Sequence, residues 1–303
     1  MRKAIYITFI VTILIAACQP NSPTRQEGKK TVVVTYSILG ALVKDMLGDR
    51  ANVIVLIPNG QDPHAWEPSA KDIESLMKAD LVVRNGLALE SSLEKTLSLA
   101  AAAGVKSFVA SDHITVRKVG QGGGISNAGS EQNVGASDPH LWTDPLTIKQ
   151  VMVAFSNQIK ADLGLDLSTQ AQDLASQLDS LNTEIIALVD HMPEGNRKLV
   201  TGHESLGYFA DRYAFKLVGA IIPSLNSQAE VSAADLAALK TLIQENQVKA
   251  IFSEVGTPKA ISDAIGKETG VKVVELSTHI LPSDGSYFTF MRDLAQTIVK
   301  NLL

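Results

Sequence analysis

Two copies of a short histidine motif are the feature of the sequence that most clearly predicts chemistry. Both tryptophans of the chain lie two residues after the histidine of an Asp-Pro-His triplet, one copy in Asp62–Trp66 and the other in Asp138–Trp142. Each proline restricts the preceding aspartate to extended geometry and fixes its own φ, so the histidine backbone is held stiffly. A zinc site needs such rigid imidazoles, because its metal–nitrogen distances are about 2.0–2.1 Å. We therefore predict His64 and His140 as metal ligands, with the two aspartates orienting their loops.

Two residues further along the chain are candidates to complete this site. His203 lies between a predicted strand and a helix, at the edge of an α/β sheet where ligands bind. Asp284 lies in a turn-rich loop before the last helix, but Asp before Gly is also common in ordinary turns, so the residues alone leave both roles open. His279 is expected to line the cleft without binding the metal, because His203, Asp284 and the two motif histidines already fill a tetrahedral site.

Short apolar segments alternate with helical patterns along the rest of the chain. This alternation predicts an α/β fold with parallel sheets covered on both faces. The rhythm occurs twice, before and after a central helical segment, and therefore predicts two lobes. The expected strands are Thr31–Tyr36, Val53–Ile57, Leu81–Arg84, Val105–Val109, Lys198–Thr201, Lys216–Ala220, Ala250–Ser253 and Val271–Leu276.

The segment between the two predicted lobes has the pattern of one long amphipathic helix. Ser168 is a plausible N-cap, and Pro193 with Gly195 would end the helix. About 25 residues at roughly 1.5 Å each give a rod of about 37 Å, long enough to run along both lobes. Helical spacing says nothing about connectivity, so an ordinary helix of one lobe remains the alternative. The apolar residues recur at steps of three and four: Leu174, Leu178, Leu181, Ile185, Leu188 and Met192.

The amino terminus has the features of a secretory signal. A basic start is followed by an apolar run, Ile5–Ala17, which ends in small residues directly before Cys18. The segment Ile15–Cys18 resembles the lipobox of bacterial lipoproteins, with Ile in place of the commoner Leu. We therefore predict Cys18 as the lipid attachment point. Residues 19–30 contain two prolines and no large apolar side chain, which favours a flexible tether.

Composition excludes several functional classes. The 303 residues include 27 Lys and Arg against 32 Asp and Glu, a net charge of −5, and no long basic run. Nucleic acid is therefore not an expected partner. The single cysteine can form neither an internal disulfide nor a thiolate zinc finger. A glycine-rich segment at 120–137 is expected to form a surface loop.

Several of these segments together resemble a known family. The paired Asp-Pro-His motifs, His203–Phe209, Phe252–Glu254 and Asp284–Tyr287 are similar to segments of the metal-binding lipoproteins of bacterial zinc and manganese ABC importers, also called adhesin lipoproteins. The resemblance covers nearly the whole chain from residue 31. It implies two lobes, each with a four-stranded parallel sheet flanked by helices, joined by one long rigid helix. It also implies one divalent cation between the lobes, bound by His64, His140, His203 and Asp284.

The function that this resemblance implies is metal capture outside the cytoplasm. The expected protein is a monomeric, lipid-anchored receptor without enzymatic activity that delivers a transported ion to an ABC permease in the cytoplasmic membrane. Three imidazoles and one carboxylate favour Zn²⁺. The glycine-rich loop lacks the histidines that zinc receptors of this family often carry there, which keeps Mn²⁺ as the second candidate.

Two other functions remain as alternatives at this point. One is a zinc-dependent hydrolase with Glu204 as its base, although no His-Glu-x-x-His pair is present. The other is a binding protein for a larger iron chelate or corrinoid, which uses a similar two-lobed architecture.

The expected divisions of the chain are a signal peptide at 1–17, a lipidated tether at 18–30, an N-terminal lobe at 31–165, a connecting helix at 166–194 and a C-terminal lobe at 195–303.

Overall fold

The computed structural model describes residues 28–120 and 135–303. The signal peptide, Cys18 and most of the predicted tether and glycine-rich loop lie outside the described residues. The described chain contains two four-stranded parallel sheets, which confirms the predicted fold class. The first sheet has the order β2-β1-β3-β4 and the second β6-β5-β7-β8. The strands are β1 (Lys30–Tyr36), β2 (Ala51–Ile57), β3 (Leu81–Arg84), β4 (Lys106–Val109), β5 (Lys198–Thr201), β6 (Lys216–Ala220), β7 (Ala250–Ser253) and β8 (Lys272–Glu275).

Helices connect and flank these strands. In the described part of the chain, none of the helices is both long and apolar enough to span a membrane. The α-helices are α1 (Ser37–Leu47), α2 (Ala70–Met77), α3 (Glu94–Ala102), α4 (Pro145–Leu163), α5 (Ser168–Asp190), α6 (Gly207–Arg212), α7 (Ala233–Glu245), α8 (Lys259–Thr269) and α9 (Tyr287–Leu302).

The central strands are buried on both faces. Val32, Val33 and Val34 of β1 are fully inaccessible, and β1 pairs in parallel with β2 on one side and β3 on the other. Such a continuous β-branched run suits a strand that is covered on both faces by helices. Because all strands of a parallel sheet run the same way, each sheet gathers the loops that follow its strands at one edge, where side chains from different loops can meet.

Helix α5 packs against helices from both halves of the chain. It contacts α1 and α4 of the first half and α9 of the second. Its inner face is buried through Ala171, Leu174, Leu178, Leu181, Ile185 and Val189. The predicted limits of the lobes and the rigidity of this helix stay predictions.

The start of α5 differs from the prediction at one position. Leu167 is the N-cap, and Ser168 is the first helical residue rather than the cap. The carboxylate of Asp166 accepts a hydrogen bond of 3.0 Å from the backbone N–H of Ser168. The side chain of Asp166 therefore satisfies one free N–H of the first turn, whereas the sequence predicts Ser168 for this capping role.

Helix α6 attaches the second half of the chain to the first. Arg212 donates two hydrogen bonds of 2.9 and 2.7 Å to the Asp144 carboxylate, and Asp211 accepts one of 2.8 Å from Arg117. The helix begins at Gly207, where an added Cβ would lie 2.2 Å from an oxygen of Asp138. Only glycine allows this close approach, so the two halves meet directly beside the second Asp-Pro-His motif.

The packing of α5 generates a stability prediction. Leu178 is fully buried, so Leu178→Ala should lower the free energy of unfolding by about 2–5 kcal/mol through lost burial and a residual cavity. Ile186 on the same helix is 40% exposed, and Ile186→Ala should change it by less than about 0.5 kcal/mol. Urea unfolding of the metal-free variants measures both values. Equal losses for the two variants would contradict the packing described for α5.

Candidate metal centre

Four histidines converge between the two sheets. His64, His140, His203 and His279 each offer a ring nitrogen, and the four donor atoms all lie within 4.8 Å of one another. The first two belong to loops that follow β2 and β4, and the last two to loops that follow β5 and β8. Each half of the chain therefore contributes two candidate ligands from segments that follow its strands. The structure brings three of the four predicted ligands together and adds His279.

The distances within the cluster fit a tetrahedral metal site. The Nε2 atom of His140 lies 3.3 Å from Nε2 of His64 and 3.1 Å from Nε2 of His203. A tetrahedron with zinc–nitrogen bonds of about 2.0–2.1 Å has edges of about 3.3–3.4 Å. The two distances from His140 therefore match the edges of a zinc tetrahedron to within a few tenths of an ångström, and all four donors lie within 4.8 Å of one another.

The two Asp-Pro-His motifs form the same local turn. Asp62 accepts a hydrogen bond of 2.9 Å from the backbone N–H of His64, and Asp138 accepts one of 2.9 Å from that of His140. The same oxygen of Asp138 lies 2.9 Å from Nδ1 of His140. This contact places the hydrogen of the imidazole on Nδ1 and leaves Nε2 free for the cluster. Both aspartates thus make the orienting contacts that the sequence analysis expected of them.

Trp142 of the second motif packs against two of the histidines. It is fully buried, and its ring centroid lies 5.3 Å from that of His140 and 5.3 Å from that of His279. Its Nε1–H donates a hydrogen bond of 2.8 Å to the carbonyl oxygen of Thr278. One tryptophan therefore fixes a ligand of the first half and the backbone beside a ligand of the second.

The structure gives the fourth place in the cluster to His279 instead of Asp284. His279 is 3% exposed, its Nδ1 lies 2.9 Å from the hydroxyl of Thr278, and its buried Nε2 has no hydrogen-bond partner among the described residues. A buried nitrogen lone pair without a partner is costly, and a metal ion bound at the cluster would satisfy it. His279 follows β8 just as His203 follows β5. The sequence did not predict His279 as a metal ligand, because Asp284 completed the expected set of four donors.

Asp284 instead stabilises the start of α9 at the protein surface. Its carboxylate accepts hydrogen bonds of 3.0 Å from the Ser286 N–H and 2.7 Å from the Thr289 hydroxyl. These bonds lower the pKa of the exposed Asp284 carboxyl. The turn interpretation of Asp284-Gly285, which the residues alone had left open, therefore describes this aspartate, and the structure does not bring it to the cluster.

The electrostatic environment keeps most of the cluster neutral. Burial lowers the pKa of His140 and of His279 well below the ordinary histidine value. Burial, with repulsion from His203, lowers the pKa of His64 to about 4. Burial also acts against a charge on His203, but the carboxylate of Glu254, 3.0 Å from its Nδ1, raises the pKa of this histidine overall. Three imidazoles thus present free lone pairs near neutral pH.

His64 is the ligand nearest to solvent. It is partly exposed and lines an open cavity of about 300 Å³. Its loop is attached to the second half of the chain by two hydrogen bonds between Asn59 and Leu281, of 2.9 and 2.8 Å, and by one of 2.5 Å from Ser227 to Asp62. An ion that reaches the buried cluster from this cavity would therefore pass His64 first.

Comparisons with known proteins give a consistent set of similarities. The family model described as zinc-uptake complex component A, periplasmic (ZnuA), matches residues 32–301. The solved structure titled periplasmic zinc binding protein TroA from Treponema pallidum superposes with a TM-score of 0.77 at 27% identity, covering 91% of this chain and 99% of that one.

Named relatives include both zinc and manganese binders. The chain is 28% identical over 275 residues to the zinc-binding lipoprotein AdcA of Streptococcus pneumoniae, covering 90% of this chain but 54% of the relative, so it spans about half the length of that protein. It is 26% identical over 307 residues to the manganese-binding lipoprotein MntA of Halalkalibacterium halodurans, covering 98% and 97%. It is 28% identical over 303 residues to the high-affinity zinc uptake system protein ZnuA of Bacillus subtilis, covering 91% and 88%.

The presence of His279 in the cluster, in place of the expected Asp284, leads to a direct prediction about zinc affinity. His279→Ala removes a donor from the cluster and should weaken Zn²⁺ binding by at least ~100-fold, the upper end of what loss of a mere supporting contact costs. Asp284→Ala should leave zinc affinity unchanged within the error of the titration, because this side chain is exposed and is not among the donors of the cluster. Competition with a chromogenic chelator measures both affinities. The reverse order of effects would restore Asp284 as the ligand.

Proposed function

Because this chain belongs to the family of periplasmic component A of zinc-uptake complexes, we propose that it captures Zn²⁺ outside the cytoplasm and delivers it to an ABC permease. Members of this family are substrate-binding transport proteins, not enzymes. The observation that carries the proposal is the convergence of four imidazole donors within 4.8 Å of one another. Such a set can bind a bare transition-metal ion without any further ligand.

The donor types favour zinc over manganese as the transported ion. Among residues 28–120 and 135–303, the cluster consists of four imidazoles and includes no carboxylate donor. Nitrogen ligands suit Zn²⁺, whereas Mn²⁺ prefers oxygen-rich sites and stands low in the order of metal affinities. With His279 in place of the predicted Asp284, the donor set loses its one predicted oxygen and becomes more favourable to Zn²⁺ than the set expected from the sequence. Zinc is therefore the proposed cargo, and manganese a weaker competitor.

The same geometry does not favour the two alternative functions. A zinc hydrolase needs an open coordination position for water, and four imidazoles leave none in a tetrahedral site. A binding protein for an iron chelate or corrinoid needs a wide cavity at the donors. Here His140 and His203 are fully buried and His279 is 3% exposed, so protein encloses these donors and no wide cavity opens onto them.

The proposed receptor is an extracytoplasmic monomer, lipid-anchored to a bacterial cell membrane either in the periplasm or at the outer surface of the plasma membrane. Cys18, in the lipobox-like segment, is the proposed lipid attachment point. The names of the relatives AdcA and MntA, both lipoproteins, support an anchor of this kind. The permease would receive the ion from the side of His64, the partly exposed ligand, after the loop that carries His64 has moved away from the cluster.

Metal competition tests the identity of the cargo. The unsubstituted chain should bind one Zn²⁺ and retain it in an excess of Mn²⁺, because all four donors are nitrogens. In His279→Asp, an oxygen donor replaces one imidazole, and the preference for Zn²⁺ over Mn²⁺ should fall. Elemental analysis after dialysis against both ions measures the ratio. If the unsubstituted chain retained Mn²⁺ in preference to Zn²⁺, the proposed cargo would be wrong.

Uptake of radioactive zinc by cells that carry this chain and its permease tests delivery. His140→Ala should abolish the uptake that depends on this chain, because His140 is the donor whose Nε2 lies closest to two others. Asp284→Ala serves as the matched control and should retain uptake. Normal uptake with His140→Ala, at equal protein levels, would contradict a receptor that carries its ion on this cluster.

A further inference from the structure

A single buried carboxylate contacts both ligand loops of the second half of the chain. Glu254 follows β7 and is 5% exposed. Its Oε2 atom accepts hydrogen bonds of 2.7 Å from the Ser205 hydroxyl and 2.9 Å from the Thr278 hydroxyl, and it lies at an ion-pair distance of 3.0 Å from Nδ1 of His203, outside hydrogen-bond geometry. Its Oε1 atom accepts a bond of 3.2 Å from the Gly202 N–H. Every polar group that contacts this side chain therefore belongs to His203 or to a residue within two positions of His203 or His279.

We propose that Glu254 is the positioning residue that holds two of the four imidazoles, His203 directly and His279 through Thr278, with their Nε2 lone pairs directed at the metal. The inference rests on the proposed function, because it assumes that the cluster binds a metal ion. It adds a residue that makes no contact with the ion and assigns to it the geometry of one half of the site.

The direction of the hydrogen bonds carries the argument for His279. A carboxylate can only accept, so the single hydroxyl hydrogen of Thr278 must point to Glu254. The hydroxyl oxygen is then free to accept from Nδ1 of His279, which lies 2.9 Å away. His279 therefore carries its hydrogen on Nδ1 and presents an unprotonated Nε2, the atom that has no partner among the described residues. Glu254 thus sets the tautomer of a histidine that it does not touch.

The corresponding aspartate of the first half is arranged differently. Asp138 contacts one histidine, His140, and its charge is paired with Arg117 at 3.3 Å. No lysine or arginine of residues 28–120 and 135–303 makes an ion pair with Glu254. The charge of Glu254 therefore acts on the cluster itself, directly on His203, its ion-pair partner. This is a useful property where four neutral imidazoles leave the full double charge on the metal ion.

Glu254→Gln is the sharpest single test, because it preserves size and removes an acceptor. The amide NH₂ either faces the Gly202 N–H, which is a donor, or faces the hydroxyls of Ser205 and Thr278, which must then accept from it and turn their hydrogens away. We expect Zn²⁺ affinity to fall ~10–100-fold, the range for loss of an outer partner of a metal-bound histidine. Glu275→Gln, an exposed glutamate of the same half, is the matched control and should bind zinc like the unsubstituted chain.

Thr278 provides a second variant that is independent of any folding defect in the first. Thr278→Val removes the hydroxyl at nearly constant volume and should weaken zinc binding, whereas Thr278→Ser retains the hydroxyl and should restore it. Because Glu254 acts on His279 through Thr278, the double variant Glu254→Gln/Thr278→Val should bind within about two-fold of Glu254→Gln alone. Two independent effects would instead multiply.

Cobalt as a spectroscopic probe separates positioning from general stability. Tetrahedral Co²⁺ absorbs strongly in the visible range, and a displaced or rotated imidazole changes the position and intensity of that band. We expect a changed band in Glu254→Gln and Thr278→Val, and an unchanged band in Thr278→Ser and Glu275→Gln. A merely destabilised protein would lose folded molecules but would keep the band shape at saturation.

The outcomes distinguish the inference from the function on which it rests. If the unsubstituted chain binds neither Zn²⁺ nor Co²⁺, the proposed function fails, and the inference fails with it. If the unsubstituted chain binds one equivalent while Glu254→Gln keeps both affinity and band, only the inference is overturned. Full multiplication of the two single effects in the double variant would also overturn it, because the path through Thr278 would not exist.

Discussion

Four imidazole nitrogens share one small volume between two sheets, and the rest of the structure depends on that constraint. Neutral rings whose lone pairs face one another cannot satisfy one another with hydrogen bonds, and an unpaired buried acceptor costs about 1–3 kcal/mol. The buried Nε2 of His279, which has no partner among the described residues, carries this cost, while the Nε2 atoms of the fully buried His140 and His203 lie 3.1 Å apart. A divalent cation at the centre of the cluster would remove it. Each ring could also avoid this cost by rotating towards another partner, but the polar groups that contact the Nδ1 atoms hold the rings in place.

The fold satisfies this constraint by supplying the donors from four separate strands. The parallel sheets direct the loops after β2, β4, β5 and β8 towards a common point. Each loop then fixes its own histidine: an Asx-type turn in the two Asp-Pro-His motifs, and the carboxylate of Glu254 in the other two. Helix α6 joins the halves through the Arg212–Asp144 pair, so the distance between the two pairs of ligands is set by interlocked side chains beside the site.

The sequence predicted the parts of this arrangement that depend on local pattern. Apolar segments predicted all eight strands to within a few residues, and the repeated Asp-Pro-His motif indicated His64 and His140 because duplication is itself a signal. His203 was accessible to prediction because it directly follows a strand. The lipid attachment at Cys18 is still a prediction, since it lies outside the described residues.

The parts that were not predicted depend on contacts between distant segments. Asp284 and His279 lie five residues apart in one loop, and only the path of the chain after β8 decides which of them faces the cluster. The role of Glu254 could not be derived from spacing, because its partners come from two other loops. The segment Phe252–Glu254 was part of the family resemblance, but no functional role was predicted for it. Its proximity to Thr278 exists only in the folded chain.

A crystal structure of the zinc-loaded protein, with anomalous data collected on both sides of the zinc absorption edge, tests the central claim most directly. The account predicts one strong anomalous peak about 2.0–2.1 Å from Nε2 of each of His64, His140, His203 and His279, with no carboxylate oxygen in the coordination sphere. A peak bound by Asp284 or by a water molecule in place of His279, or a peak elsewhere in the protein, would contradict it.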